Sequence, residues 1–221
     1  MKTKLALIST GIGVVPAISA IVNELNAGLE IINIVDDSII RSIASNNNVI
    51  PASVYRRLSS YFVTAEEAGA IGAILTCSSV NEVVDVASKL VSIPCFKIDQ
   101  PMADKAIEIG QKIAVAATLQ TTLAPTKRLI NSRSIHASKD IVLEECLCEG
   151  AYDAWQSGNF KKHDEIVGSA IINLAKNNDV VVLAQASMAR AIDVVSDSIK
   201  EKVLTSPKLG VTTALRALGL I

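Results

Sequence analysis

Cys77 stands between an apolar run, "GAILT", and a hydroxyl pair, Ser78-Ser79. A thiol there ends one element and begins another. If Ser79 caps a helix, through the pattern Ser79-Val-Asn-Glu82, the free N–H groups and positive dipole end favour a thiolate, the reactive form of cysteine. The chemistry on offer is nucleophilic attack or proton transfer. The alternative is a small buried thiol that only packs. A second polar group follows another apolar run, "VVVLA": Gln185, with Ser187 two residues on. An amide has no proton to lose near neutrality, so Gln185 can orient a ligand but cannot serve as a base. Thr118, Thr121 and Thr122 precede Pro125 and resemble a turn whose hydroxyls and N–H groups enter a helix and hold an anion.

These residues are related by an internal repeat. "KLALISTG" lies over "KIAVAATL", so Lys4 falls on Lys112 and Thr10 on Thr118, 108 residues apart. The same shift places Cys77 on Gln185, Ser79 on Ser187 and Asp85 on Asp193. It also lays "EIINIVDDS" over "SKDIVLEEC", so that Asp36 and Asp37 face Glu144 and Glu145. A fixed internal period is the mark of duplicated structure.

Each half alternates short β-branched runs ("KLALIST", "LEIINIV", "GAILTC") with stretches of helical period, and Thr64-Ala-Glu-Glu67 reads as a second capping box. The expected fold class is α/β: two pseudo-symmetric three-layer halves with mainly parallel sheets and the active site in the cleft between them. "IPCFKIDQPM" supplies a fourth strand, with Pro101 in the first turn of the next helix. The tail "SPKLGVTTALRALGLI" is expected to return to the first half, which assigns residues 1–98 plus 207–221 to one half and 99–206 to the other. Ligands of open α/β sheets bind beyond the carboxyl ends of the strands. The residues there are small and hydroxyl-rich, suited to a small anion.

Composition narrows the function. Hydrophobic residues make up 50% of the chain and the net charge is -1, so a real core forms and no basic field exists for nucleic acid. With 3% aromatics, stacking platforms for single strands are lacking as well. The four cysteines follow no disulfide framework, which fits a reducing, cytoplasmic setting, and Cys146-x-Cys148 reads as two buried thiols with no metal. The uncharged stretch from Leu5 to Val22 is broken by Gly11, Gly13 and Pro16 and has a counterpart in the second half, against a signal peptide or membrane anchor. His136 and His163 lie away from the strand ends and read as surface residues. "STGIGVVP" followed by Asp36 or Asp37 leaves an NAD-binding reading open, although the third glycine is missing and the acid pair recurs where no glycine motif exists.

The order and spacing of "LISTG", "ILTCSS", "IPCFKIDQPM", "AVAATLQTTLAPT", "VVLAQASMAR" and "TSPKLG" resemble the aspartate/glutamate/hydantoin racemase superfamily along nearly the whole chain. The resemblance implies cofactor-independent proton transfer at the carbon next to a carboxylate. The superfamily also includes maleate isomerase and arylmalonate decarboxylase. Its racemases place one cysteine from each half on opposite faces of the substrate; Cys77 matches the first, and Gln185 occupies the second position. Thr10, Ser78, Ser79, Thr121, Thr122 and Ser187 match the polar strand-end positions that hold the substrate, with Thr118 added by the repeat.

The expectation is a cofactor-independent isomerase or epimerase acting on a small carboxylate or sugar-acid-like substrate through Cys77, with Gln185 in the second catalytic position. It has no membrane or nucleic-acid partner, and homo-oligomerisation is left open. The alternatives are a decarboxylase or other lyase, and a non-catalytic small-acid-binding protein that kept the fold.

Overall fold

A computed structural model describes residues 2–221. Among these, eight strands and ten α-helices alternate: β1 (Lys4–Ser9), α1 (Val15–Leu25), β2 (Glu30–Val35), α2 (Ser38–Ala44), α3 (Ala52–Glu67), β3 (Ala70–Leu75), α4 (Val83–Ala87), β4 (Cys95–Lys97), α5 (Gln100–Ile109), β5 (Lys112–Ala117), α6 (Gln120–His136), β6 (Val142–Leu147), α7 (Ala151–Gln156), α8 (Phe160–Leu174), β7 (Val180–Leu183), α9 (Asp197–Lys200), β8 (Val203–Thr205) and α10 (Ser206–Ala217). Two four-stranded sheets result, ordered β2-β1-β3-β4 and β6-β5-β7-β8, and every pairing is parallel. The fold is therefore α/β with duplicated topology. The chain divides into two compact units, the first running to Asp99 and resuming at Pro207–Ile221, the second spanning Gln100–Ser206.

In the first unit the central strand is buried on both faces, as parallel sheets require. Ala6 and Ile8 of β1 meet Val54, Leu58 and Phe62 of α3. Leu5 and Leu7 meet Ile18 and Val22 of α1 and Val211 and Leu215 of α10. The spacing of Val54, Leu58, Phe62 and Ala65 is the apolar stripe of a helix lying on a sheet. In the second unit Ala114, Ala116, Val181 and Leu183 pack against Val167 and Ile171 of α8, while α5 and α6 lie against β7 and β5. The helix after β4 belongs to the second unit and the helix after β8 to the first, so the halves exchange equivalent helices. Among the described residues no helix is long and apolar enough to cross a membrane.

The repeat spacing of 108 holds for β1 and β5, for β4 and β8, and for the starts of α3 and α8. It fails at β2 and β6, which form one edge of each sheet. Lys4 pairs with Glu30 and Lys112 with Val142, so β6 sits four residues out of that register. The extra length is taken up by α6, which has 17 residues where α1 has 11. The structural counterpart of Asp36 is thus Cys148: their N–H groups bond the equivalent carbonyls of Ser9 and Ala117. Glu144 and Glu145 lie inside β6, and the acid pair is not duplicated.

Two helix starts differ from expectation. Thr64 lies in the last turn of α3, where its hydroxyl bonds the Ser60 carbonyl at 3.0 Å. Ser79 caps no long helix: residues 78–80 form one 3-10 turn, followed by the five-residue α4, and no side chain caps either. A short hydroxyl-acid pattern recurs inside and between helices, and tertiary packing decides which copies serve as caps.

Candidate active site

The strand order reverses between β1 and β3, and between β5 and β7. In open α/β sheets such switch points are where ligands bind. Thr10 and Cys77 follow the first pair of strands, and Thr118 and Gln185 the second.

In the first unit Thr10, Cys77 and Ser79 are brought together. The sulfur of Cys77 is hydrogen-bonded by the Thr10 hydroxyl, the Ser79 backbone N–H and the Ser79 hydroxyl. Three donors on one sulfur stabilise a thiolate, yet burial is the larger influence, and Asp99, when ionised, adds to it. The thiol is pushed above its ordinary value. This corrects the expected lowering: a single 3-10 turn has little aligned dipole to offer. Cys77 is half-buried, and its resting form is a neutral thiol, that is, a proton donor. Cys95 is raised by burial to about 11 and Cys148, by burial and by neighbouring Cys146, to about 12. The Cys95 thiol donates to the Ile93 carbonyl at 3.4 Å.

Sequence reasoning passed over four residues near these strand ends: Asp99, Asn81, Ser9 and Thr76. Asp99, fully buried at the end of β4, accepts a hydrogen bond from Asn81 Nδ2 at 2.9 Å and another from the Ser78 hydroxyl. The signal was available in "CFKID", where a carboxyl follows a strand as Cys77 does. Ser9 and Thr76, also at strand ends, share a buried hydroxyl–hydroxyl bond of 2.8 Å.

In the second unit Gln185 is tied to Thr118 twice. Its Oε1 accepts from the Thr118 backbone N–H at 2.6 Å, and its Nε2 donates to the Thr118 hydroxyl at 2.8 Å. The amide thus takes the hydroxyl that, in the first unit, would serve the sulfur. Ser187 lies within a 3-10 segment, Ala186–Val194, whose cap position is held by Gln185. Thr121 and Thr122 sit in the first turn of α6, which begins at Gln120, ahead of Pro125. Both threonines are buried, and among the described residues the Thr121 hydroxyl has no hydrogen-bond partner. Pro125, inside the helix, has no N–H to offer the Thr121 carbonyl.

Two other expectations change. His163 is fully buried, contrary to its reading as a surface residue: Nδ1 lies 2.8 Å from Asp164, whose other oxygen accepts from Arg190 Nε at 2.8 Å. This clamp fastens α8 to the Ala186–Val194 segment. His136 is exposed. Asp36, the acid of the dinucleotide reading, is already committed to Ser38, to Tyr61 at 2.7 Å and to Arg57 at 3.3 Å. Burial works to raise it, but these donors together hold it below the usual range. At Gly11 and Gly13 no protein atom lies within 4 Å of where a Cβ would stand, so packing within the protein does not require them. That leaves the dinucleotide reading with Asp36 already engaged.

Fold and strand-end residues together define a doubly wound α/β protein of duplicated halves. The chain belongs to the Asp/Glu/hydantoin racemase family, whose sequence model matches residues 7–214. Among solved structures it is similar to allantoin racemase from Klebsiella pneumoniae (TM-score 0.74, 17% identity, 99% of this chain and 89% of that one). It is also similar to glutamate racemase from Francisella tularensis in complex with D-glutamate (TM-score 0.73, 13% identity, 100% and 83%). A cysteine variant of arylmalonate decarboxylase in a sulfate-associated form follows at TM-score 0.65 and 15% identity, covering 98% and 93%. At these identities the likeness is one of fold. No curated protein matches the sequence.

Proposed function

We propose that the protein is a cofactor-independent isomerase or epimerase acting on a small carboxylate or sugar-acid-like substrate, with Cys77 as its one catalytic thiol. The observation that carries this reading is the set of three hydrogen bonds from Thr10 and Ser79 onto the Cys77 sulfur, in a chain whose second half offers only the tethered amide of Gln185. In the forward step Cys77 first gives its resting proton to solvent, and the thiolate then takes the proton from the carbon beside the carboxylate: the C–H bond breaks, an S–H bond forms, and the electron pair moves into the carboxylate as an enediolate. The neutral thiol then delivers the proton to another carbon over which the anion is delocalised, since return to the same carbon and face would only regenerate the substrate. Thr10 and Ser79 lower the cost of the thiolate. Ser187 and the first turn of α6, with Thr121 and Thr122, are proposed to hold the carboxylate through hydroxyl and N–H donors, and Ser78 through its backbone N–H; Thr118 and Gln185 are proposed to orient the substrate.

Decarboxylation is the second reading, and the neutral resting thiol favours it. There the bond to carbon dioxide breaks without a base, and Cys77 only protonates the enediolate that remains.

Two-base racemisation needs a proton donor on each face, and Gln185 has none to give. Wild-type protein is therefore expected not to interconvert the enantiomers of aspartate or glutamate at ordinary enzymatic rates of about 1–10³ per second. In deuterated water a true substrate is expected to gain deuterium on one face alone, followed by NMR. Gln185→Cys is expected to gain weak interconversion. Efficient racemisation of either amino acid by wild type would refute the one-thiol mechanism. The candidate substrates are small α-substituted and β-keto acids, screened by thermal shift, since a ligand that binds only the folded state raises the midpoint. Allantoin and arylmalonates belong in the screen because structurally similar proteins carry those names.

A further inference from the structure

The polar residues behind Cys77 have no equivalents in the second half. At the repeat spacing Ser78, Asn81 and Asp99 correspond to Ala186, Ala189 and Pro207. A buried polar network that exists only where the thiol exists points to a task connected with the thiol.

Its geometry supports this. Asp99 is 0% exposed, with Asn81 on Oδ2 at 2.9 Å and the Ser78 hydroxyl also bonded to the carboxyl. Its other oxygen, Oδ1, is buried and has no partner among the described residues. Ser78 is the residue after Cys77, so Asp99 grips the turn that carries the sulfur. β4, which ends just before Asp99, pairs directly with β3, which ends just before Cys77. The charged groups around it are few. Lys97 Nζ is occupied by Asp85 of α4 at 2.8 Å, and α10, which packs on Ile98 through Gly210, directs Lys208 to Glu24 at 3.0 Å. An ionised carboxylate with one buried oxygen unpaired and no dedicated cation is strongly disfavoured, whereas the neutral acid is tolerated. In keeping with this, burial pushes Asp99 upward against the hydrogen bonds of Asn81, Ser78 and its own backbone N–H and the charge of Lys97.

We infer that Asp99 is a positioning residue for Cys77: held as a neutral acid, it anchors the Cys77–Ser79 turn through Ser78 and Asn81, and on ionising it opposes the thiolate. The inference rests on Cys77 being the reacting thiol, but its test reads the thiol's own chemistry rather than turnover. It therefore fails separately from the proposed function, which Cys77→Ser tests.

The experiment is the pH dependence of iodoacetamide labelling at Cys77, followed by peptide mapping, in wild type and Asp99→Asn. The amide has the shape of the neutral acid and cannot ionise. The expected result is a labelling midpoint about one pH unit lower in the variant, and labelling severalfold faster near pH 8. Asp99→Glu, which restores the acid, is expected to return the midpoint toward wild type. A merely structural role predicts the opposite sign, because loosening the turn weakens the Thr10 and Ser79 hydrogen bonds and moves the midpoint up. An unchanged or raised midpoint overturns the inference, and so does failure of Asp99→Asn to fold, since the amide mimics the neutral acid.

Wild type supplies a second measurement. Carbon-13 NMR of labelled aspartate is expected to find one carboxyl that titrates above the ordinary range and is missing from Asp99→Asn; its absence from wild type overturns the proposal. Stability follows the same sign. A group whose folded-state pKa lies above its unfolded value stabilises the fold at low pH and loses that contribution as pH rises through the folded value. Asp99→Asn is thus expected to match wild type in acid and to exceed it in Tm increasingly toward neutral pH.

Discussion

Replacing Cys77 by serine is expected to lower kcat by about 10²–10⁴, the usual contribution of a positioned acid or base. The native fold should remain. Serine keeps the size of the side chain and accepts the same hydrogen bonds from Thr10 and from the Ser79 hydroxyl and N–H. What it lacks is an accessible proton equilibrium: a hydroxyl neither loses its proton nor, once an enediolate has formed, returns one with comparable ease. The measurement is kcat for whichever acid emerges from the thermal-shift screen, beside the unfolding midpoint of the same preparation. Full activity with unchanged Tm would remove Cys77 from the chemistry and turn attention to a protein that binds a small acid or reacts without a thiol. Loss of activity together with loss of Tm would implicate packing instead.

The largest effect on stability is expected from Gly210→Ala. A Cβ built at Gly210 would stand 2.2 Å from the Ile98 carbonyl oxygen, 2.7 Å from Ile98 Cγ1 and 2.9 Å from the Ile98 carbonyl carbon. Two of these atoms are backbone, so no rotamer change relieves the clash; α10 must lift from the end of β4. Overpacking of this kind costs about 3 kcal/mol or more, roughly a 6–12 °C fall in Tm for a chain of this size. Gly13→Ala is the control, because nothing lies within 4 Å of a Cβ there. Since Ile98 precedes Asp99, the same substitution is expected to disturb the Asn81–Asp99 bond. A midpoint within 1–2 °C of wild type would mean that α10 packs more loosely than these distances allow.

Much of the architecture was legible because it repeats. β1 and β5, β3 and β7, and the residues Thr10/Thr118 and Cys77/Gln185 keep a constant spacing, and parallel strands buried on both faces leave a dense apolar signature that survives divergence. The edge strands β2 and β6 did not follow. Their residues are largely exposed, so little in their hydrophobic pattern pins the register, and the longer α6 slides β6 by four residues. The supposed caps at Thr64 and Ser79 failed for a related reason: a hydroxyl followed by an acid is a local pattern, and helix boundaries here are set by what packs on the sheet.

The sequence by itself determined the α/β class, the duplication and which strand ends carry hydroxyls, thiol or amide, because those are properties of residue type and period. It also placed Cys77 and Gln185 at equivalent positions. Only the tertiary structure decided what surrounds them. Burial, which no local window measures, turned the expected thiolate into a neutral thiol and moved His163 from the surface to the interior. Asp99 became a neighbour of Cys77 across 22 residues of chain because β4 pairs with β3. Electrostatics depends on distance in space and on exclusion of water, and both are fixed when the sheet assembles.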